Sequence, residues 1–399
     1  AGAEGMPCLQ THAGRHSNCP LARPSRAATK AWTRQSSRSG AGLDEAARYP
    51  ATTGTGRSPP KGGRAIMGAA KERNQTQTSP LKKPLNAKAK SKRDLMEDVL
   101  QKGSKSDYVP AGFFMHFNKK GDEAVKAHMN YFKATQMDFV KIQFDGMSLP
   151  LNEQIKTAKD WYKQPIMPES FFEPILYVIK NLVKEAKSEA MIIQTLYSPY
   201  QMANQAVPWE LLVKHVKEDP EAVCRGMENV TLSILNFVQA AAKLGVDGFY
   251  TCAQGGETNR VADYQLFNRA IKSFDMLLYK EVSQLVPYNI LHICDYDGEY
   301  EGFTPRFQDY PGQIVNIPLQ ADGKALTLQK ASEIFDRPVM GGLDRHGVIS
   351  TGTVDQVKKA TMDLLKNAPN RVILSANCTV SNTTPIENLR AAIQTAHEF

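Results

Sequence analysis

The chain has 399 residues, enough for one large domain or two of modest size. Its net charge of +8 is unevenly spread: residues 1–66 hold 10 Lys/Arg against 3 Asp/Glu, residues 67–106 hold 10 against 4, and the remainder holds 29 against 34. The basic character therefore belongs to the first 106 residues. The mildly acidic body is not that of a nucleic-acid-binding domain, and we expect no nucleic-acid partner.

The six cysteines lack the spacing of a disulfide-stabilised secreted domain, so a reducing, cytoplasmic compartment is expected. No apolar run approaches the ~20 residues that a membrane-spanning helix needs. No secretory signal is present, and we expect no membrane association.

Residues 1–106 are predicted to form a disordered basic leader and linker, because their composition cannot bury a core. Met67 is a candidate natural start. Residues 1–66 are either an organelle-targeting leader or, if the chain starts naturally at Met67, a translated upstream segment, and both alternatives stay open. Near the end of this region, residues 91–101 are expected to form a short helix.

The body, residues 107–399, alternates short β-rich runs with amphipathic helical stretches. Eight such pairs predict an α/β fold, a single (β/α)8 TIM barrel, and no glycine-rich dinucleotide turn favours an open doubly wound sheet. The predicted strands are Val109–Phe117, Phe139–Phe144, Ala190–Leu196, Gly248–Cys252, Asn289–Cys294, Ile314–Pro318, Pro338–Gly341 and Arg371–Ser375. The predicted helices are Asp122–Thr135, Phe172–Ala186, Pro208–Leu244 with a break near Asp219-Pro220, Ala262–Gln284, Lys324–Phe335, Thr353–Asn367 and Pro385–His397.

A candidate metal site lies where the strands of such a barrel end, which is where barrel enzymes carry their active sites. His292 and Cys294 are two residues apart on the fifth predicted strand, so both side chains point to the same face. Cys378 follows the last strand. One imidazole and two thiolates form a three-ligand zinc set with an open fourth position. The alternative is that both cysteines are inert buried side chains. The candidates for the fourth position are a water, a substrate thiol, or one of Glu257, Asp295, Asp297 and Cys252.

Such a set suggests a particular chemistry. Zinc lowers the pKa of a bound thiol and makes it a nucleophile at neutral pH. Two cysteine thiolates keep the metal electron-rich, which favours alkyl transfer to sulfur over the hydrolysis typical of His and carboxylate ligands.

Other polar residues at the same strand ends are candidates for catalysis or binding. A carboxylate there could act as a base or could cap a turn, and a tyrosine could line a ligand pocket or pack beneath a loop. The catalytic candidates are Asp145, Asp344 and Tyr197. The binding candidates are Tyr197, Tyr200, Gln254 and Glu257.

Three motifs resemble the uroporphyrinogen decarboxylase superfamily across residues 107–399: Tyr-Ser-Pro-Tyr at 197–200, Gly-Gly-Leu-Asp at 341–344, and the closing run at 373–390. The His-x-Cys and the distant cysteine are similar to its zinc-dependent, corrinoid-linked thiol methyltransferases of the methylcobamide:coenzyme M type. The resemblance implies that His292, Cys294 and Cys378 ligate Zn²⁺. It also implies that a methylated corrinoid such as methylcobalamin, presented by a separate corrinoid protein, donates its methyl group to a small thiol, and that the chain forms a homodimer.

The sequence also departs from both branches of that superfamily. The decarboxylase branch has an Arg-rich motif after the first strand, whereas residues 112–119 contain no arginine. Asp295 and Asn377 stand where the methyltransferase branch usually has glycine. Two alternatives therefore stay open. One is a cofactor-free decarboxylase acting on a tetrapyrrole, with Asp145 stabilising a protonated pyrrole, and the other is a non-catalytic barrel that binds zinc or a tetrapyrrole.

Overall fold

The structure is a computed structural model that describes residues 90–101, 107–149, 155–205, 207–294 and 299–399. Of the predicted leader and linker at 1–106, residues 1–89 and 102–106 lie outside the described residues, and its disorder stays a prediction. Asp295 and Asp297 also lie outside the described residues.

Seven parallel strands form one sheet in which neighbours along the chain also pair in space, and they confirm seven of the eight predicted strands. Their continuous burial is typical of strands that are covered on both faces. In the sheet order they are β1 (Phe139–Ile142), β2 (Met191–Tyr197), β3 (Gly248–Ala253), β4 (Ile290–Ile293), β5 (Ile314–Asn316), β8 (Val339–Leu343) and β9 (Val372–Ala376).

The first predicted strand, Val109–Phe117, is reduced to a single parallel bridge between Ala111 and Leu374 of β9. Gly112 N donates to Leu374 O at 3.0 Å on one side. On the other side, Asp138 N, just before β1, donates to Ala111 O at 3.0 Å. The segment therefore contacts both edges of the sheet and occupies the eighth strand position of a TIM barrel.

Helices alternate with the strands, as predicted. The α-helices are α1 (Lys92–Leu100), α2 (Gly121–Thr135), α3 (Glu173–Ala186), α4 (Pro199–Asn204), α5 (Trp209–Glu218), α6 (Pro220–Leu244), α7 (Tyr264–Phe267), α8 (Ser273–Leu285), α9 (Phe303–Phe307), α10 (Leu328–Phe335), α11 (Val348–Thr351), α12 (Val354–Leu365) and α13 (Ile386–Glu398). Two 3₁₀ turns, Ala158–Lys163 and Glu169–Phe172, precede α3, and a π turn, Asn268–Lys272, joins α7 to α8. No helix in the described part of the chain is long and apolar enough to cross a membrane.

The predicted break at Asp219-Pro220 is confirmed, since α5 ends at Glu218 and α6 begins at Pro220. Proline fits the first turn of a helix because the N–H it lacks would have no partner there. The side chain of Asp219 caps α6 by accepting a hydrogen bond from Ala222 N at 3.1 Å. Gly245, with a φ of 98°, ends the same helix in the left-handed region.

The predicted helix Lys324–Phe335 is wrong at its start, because the helix begins only at Leu328. The residues before it form a small antiparallel hairpin of β6 (Gln320–Ala321) and β7 (Lys324–Ala325). Asp322 and Gly323 turn the hairpin with φ values of 53° and 68°. An Asp-Gly pair is a common sequence signal for this two-residue turn.

Candidate metal centre

Three buried donor side chains meet at the C-terminal ends of β4 and β9. His292 lies in β4, Cys294 directly follows that strand, and Cys378 lies two residues after β9. Their ligand atoms all lie within 4.8 Å of one another, and Nε2 of His292 is 3.5 Å from Sγ of Cys378. Zinc bonds of about 2.0–2.3 Å to nitrogen and sulfur require donor separations of roughly 3.5–3.8 Å in a tetrahedral site. The His292–Cys378 separation has this value and the other donor pairs lie within 4.8 Å, so the three side chains are grouped closely enough to share one zinc ion.

Asn316 of β5 fixes which nitrogen of His292 carries the proton. Its Nδ2 donates to the backbone oxygens of Met340 at 3.1 Å and Ala376 at 3.2 Å, so its Oδ1 must be the acceptor. That oxygen lies 2.5 Å from Nδ1 of His292 and accepts from the hydroxyl of Tyr250 at 2.7 Å. The imidazole proton is therefore on Nδ1, and the lone pair of Nε2 faces the thiols, as a metal ligand requires.

The two cysteines of the cluster, Cys294 and Cys378, differ in how readily their thiols lose a proton. Their mutual hydrogen bond, with Cys294 as donor, lowers the pKa of Cys378 well below its usual range and raises that of Cys294. Nε2 of Gln254 donates to Sγ of Cys294 at 3.2 Å. Cys378 is thus the first of the pair to ionise, and Gln254 supports the second thiolate.

Cys252, suggested as a fourth ligand, lies in β3 in register with His292 and lines the same cavity. Among the described residues, however, the donor cluster contains only His292, Cys294 and Cys378. Sγ of Cys252 instead contacts the backbone oxygen of Tyr250 at 3.7 Å. Burial raises the pKa of the Cys252 thiol to about 12, which keeps it neutral.

A cavity of about 460 Å³ opens onto the three donors. Of the residues predicted for catalysis or for binding beside the metal, Tyr197 and Gln254 line this cavity. Burial raises the pKa of Tyr197, so its hydroxyl stays protonated and can donate a hydrogen bond into the cavity. The structure thus brings these two residues together with the predicted ligands.

Asp145 lies beside this cavity and is not part of its described lining. One of its oxygens lies 2.5 Å from Nδ1 of His116, and the other accepts from Phe117 N at 3.1 Å and Asn118 N at 3.0 Å. Burial alone would raise the pKa of Asp145, but these hydrogen bonds lower it overall. The carboxylate therefore anchors the loop after the first strand and orients His116, which does line the cavity.

Asp344 lies outside the described cavity lining, in an exposed turn after β8. Its carboxylate accepts from His346 N at 2.8 Å, and its backbone oxygen accepts from Gly347 N at 3.0 Å. These contacts are those of a turn residue, which was the structural alternative to a catalytic role.

Tyr200 and Glu257 are also separate from the described lining. Tyr200, only 1% exposed, packs so closely on Gly255 that an added Cβ there would meet its ring at 2.7 Å. Glu257, 0% exposed, accepts from Gly255 N at 2.6 Å and lies 3.6 Å from Arg260, and burial raises its pKa. Both residues stabilise the loop that carries Gln254.

Two residues of the site, Asn316 and Lys141, were not predicted as site residues, because both fall within the predicted strands Ile314–Pro318 and Phe139–Phe144 and not after them. Each is a polar residue in an otherwise apolar buried run, Phe-Val-Lys-Ile in β1 and Ile-Val-Asn in β5. Because such a residue needs a polar partner when it is buried, this interruption is the signal that could have identified them.

The fold and the donors define a TIM barrel with a His-Cys-Cys cluster at its catalytic rim. The profile of the family Uroporphyrinogen decarboxylase (URO-D) matches residues 108–399, and the chain belongs to this family, as the motifs predicted.

Two similar proteins come from Methanosarcina mazei. A methylated-thiol–coenzyme M methyltransferase is 24% identical over 224 residues, which are 56% of this chain and 58% of that protein. The chain thus matches little more than half the length of this curated relative. A solved structure described as a methyltransferase covers 77% of this chain and 99% of its own, with a TM-score of 0.64 and 15% identity. This likeness shows the fold.

Proposed function

We propose that this chain is a zinc-dependent methyltransferase that transfers a methyl group to a small thiol. The observation that carries the proposal is the preset donor cluster, in which Asn316 holds Nε2 of His292 unprotonated beside Cys294 and Cys378. Membership in the URO-D family and the likeness to a methylated-thiol–coenzyme M methyltransferase support the reaction class.

His292, Cys294 and Cys378 would hold the metal, and the chemistry that zinc supplies when bound is to lower the pKa of a thiol at the fourth position. Gln254 supports the Cys294 thiolate by donating a hydrogen bond to its sulfur. In the transfer, the acceptor thiol releases its proton to solvent water, and the resulting thiolate sulfur bonds to the methyl carbon and displaces the donor. The donor keeps both electrons of the bond that breaks, so charge and atoms balance.

For the methyl donor we infer a methylated corrinoid, such as methylcobalamin, carried by a separate corrinoid protein. The donor cluster lies at the C-terminal ends of the strands, so the carrier would have to approach that end of the barrel. The thiol acceptor would be a small molecule that fits the cavity of about 460 Å³.

The second candidate function is cofactor-free decarboxylation of a tetrapyrrole by Asp145. Both oxygens of this carboxylate are already engaged by His116, Phe117 and Asn118. The His-Cys-Cys cluster, in contrast, faces the cavity with the lone pair of His292 already oriented, so the geometry favours methyl transfer.

Zinc content tests the proposal. The full chain, purified under reducing conditions, should carry one zinc per chain, and Cys294→Ala and Cys378→Ala should each lose most of it. Cys224→Ala is the matched control, since it removes a buried thiol of α6 and should keep the metal. The zinc-loaded protein should then methylate a thiol with methylcobalamin as donor. Wild-type protein without zinc would overturn the proposal, and zinc without methyl transfer would leave a non-catalytic barrel.

A further inference from the structure

A buried lysine lies in the wall of the metal cavity without an assigned role. Lys141 of β1 is 6% exposed and lines the cavity beside Tyr250. Its Nζ lies 4.4 Å from the centre of the Tyr250 ring, and that ring stacks on the imidazole of His292 with the two centroids 4.8 Å apart. A single aromatic ring therefore separates the ammonium group from a ligand of the candidate metal centre.

The groups that contact Nζ hold Lys141 as an ammonium ion. Nζ donates to Oε1 of Gln143 at 2.9 Å, and Gln143 is fixed in that orientation because its Nε2 donates to Met115 O at 2.9 Å. The ring faces of Phe114 and Tyr250 lie 4.6 Å and 4.4 Å from Nζ. An amide oxygen and two π faces stabilise a cation. Burial lowers the pKa of Lys141 to about 8, so most of the side chain is charged at neutral pH.

Negative charge in and beside the cavity acts on this cation. Thiolates at Cys252, Cys378 and Cys294, and the carboxylate of Asp145, raise the pKa of Lys141 against the effect of burial. The Asp145 carboxylate is already engaged by an imidazole and two backbone N–H groups. The charge of Lys141 therefore bears on the sulfur atoms of the cavity as well as on Asp145.

Other ionisable side chains of the described lining are weaker sources of positive charge at the cluster. Arg260 lies 3.6 Å from the carboxylate of Glu257, and Arg345 is only half-buried, so a carboxylate offsets the first charge and solvent screens the second. Lys141 is more deeply buried, and its hydrogen bond goes to a neutral amide. The remaining ionisable groups there, apart from Tyr250 and the cysteines, are His116, Tyr197, His292 and His346.

The net charge of the metal cluster changes when an acceptor thiol ionises in it. A zinc ion bound by two thiolates and a neutral imidazole has no net charge, so an acceptor thiolate in the fourth position adds one negative charge. A buried charge without a counter-charge is unfavourable. At the separation of about 10 Å that the two ring contacts allow, and at an effective dielectric constant of about 20, two opposite unit charges change an equilibrium constant roughly tenfold.

We propose that Lys141 is the counter-charge of the acceptor thiolate and determines the pH at which a thiol ionises at the metal cluster, whatever other groups that thiol carries. The inference rests on the proposed function and adds a residue to it. When the thiol binds, its S–H bond breaks, the electron pair stays on sulfur and the proton goes to solvent water. Lys141 keeps its own proton, and its charge favours the anionic sulfur over the neutral thiol.

Calorimetric titration of the zinc-loaded full chain with an uncharged thiol tests this role. The probes are 2-mercaptoethanol, whose thiol can ionise, and 2-(methylthio)ethanol, whose sulfur cannot. We expect Lys141→Met to weaken 2-mercaptoethanol roughly tenfold at about pH 7 and to shift its affinity curve upward by about one pH unit. Binding of the thioether should not change, and Lys141→Arg should stay near wild type because it keeps the charge. Lys126→Met, on the exposed side of α2, is the control and should change neither ligand.

The zinc content and melting temperature of each variant report whether it folds, and Lys141→Gln replaces Lys141→Met if the latter does not. An equal loss of thiol and thioether binding, or an unshifted pH curve, would overturn the inference. Methyl transfer by wild type together with an unshifted curve would reject the counter-charge and keep the methyltransferase. A shifted curve without methyl transfer would do the reverse. A zinc-loaded wild type that does not bind 2-mercaptoethanol would contradict both.

Discussion

His292 and Asn316 form one hydrogen-bonded unit, with Nδ1 of the imidazole 2.5 Å from the side-chain oxygen of the amide. Asn316 is itself fixed by two backbone carbonyls, so the imidazole cannot turn its protonated nitrogen toward the thiols. Residues that orient a metal ligand in this way typically contribute 10–100-fold to metal affinity.

We therefore expect Asn316→Ala to weaken zinc binding by roughly 10–100-fold, measured by competition with a chromophoric chelator. Asn388→Ala is the control, because Asn388 is also buried and donates to two backbone carbonyls, at Ile349 and Gly352, outside the donor cluster. It should lower the melting temperature without changing zinc affinity. Equal zinc affinity of wild type and Asn316→Ala would show that the hydrogen bond does not orient the ligand.

Cys252 distinguishes a three-residue metal site from a four-residue one. Because its Sγ stands apart from the donor cluster, Cys252→Ala should retain full zinc content and zinc affinity. The fourth position then remains available to a thiol substrate, which X-ray absorption at the zinc edge would detect as an added sulfur ligand at about 2.3 Å. Loss of zinc from Cys252→Ala would instead make Cys252 the fourth ligand and leave no position for the substrate.

The ligand set could be predicted from the sequence because it consists of metal-binding residue types at, or just beyond, the ends of two strands. His292 and Cys294 share a strand face, and a closed barrel brings Cys378 to the same rim. Asn316 could not be identified in the same way, since its role depends on its contact with His292 of the neighbouring strand β4. Which strands are neighbours follows from the fold, but which side chains touch depends on the register of pairing.

The fold was predictable for seven strands and less so for the first. Pro110 has no N–H, so it can only accept, and Leu374 N donates to its oxygen at 2.8 Å. Four residues later, Phe114 O accepts from Val380 N at 2.8 Å, beyond the end of β9. The β-rich composition of Val109–Phe117 therefore predicted where this segment lies in the sheet. Proline limits its backbone pairing with β9 to one bridge.

His128 predicts how stability depends on pH. Its Nδ1 donates to Ala124 O at 2.8 Å, its Nε2 accepts from Gln143 N at 3.2 Å, and burial lowers its pKa from 6.5 to about 4. The imidazole of His128 binds a proton more readily in the unfolded chain than in the folded one. Its contribution to the free energy of unfolding is therefore fully present above the unfolded pKa and is lost as the pH falls toward the folded pKa. From about pH 7 to about pH 5 the loss should be roughly 2 kcal/mol.

Denaturant unfolding at these two pH values checks this prediction. His128→Leu removes the titrating group, so its free energy of unfolding should fall less between the two pH values than that of wild type, even though the variant is less stable at both. An equal pH dependence in wild type and variant would show that other groups account for the acid sensitivity.

Arg93 connects α1 to the barrel, and its substitution should destabilise the whole domain. Its guanidinium donates to both carboxylate oxygens of Asp247 at 2.9 and 2.8 Å, and the Asp247 side chain is only 7% exposed. Because Arg93→Ala leaves that buried carboxylate without its bidentate partner, we expect a loss of about 1–3 kcal/mol in the free energy of unfolding. Lys90→Ala is the control: its ion pair with Asp98 is largely exposed, so the loss should stay below about 1 kcal/mol. Equal melting temperatures for Arg93→Ala and wild type would show that α1 does not stabilise the barrel.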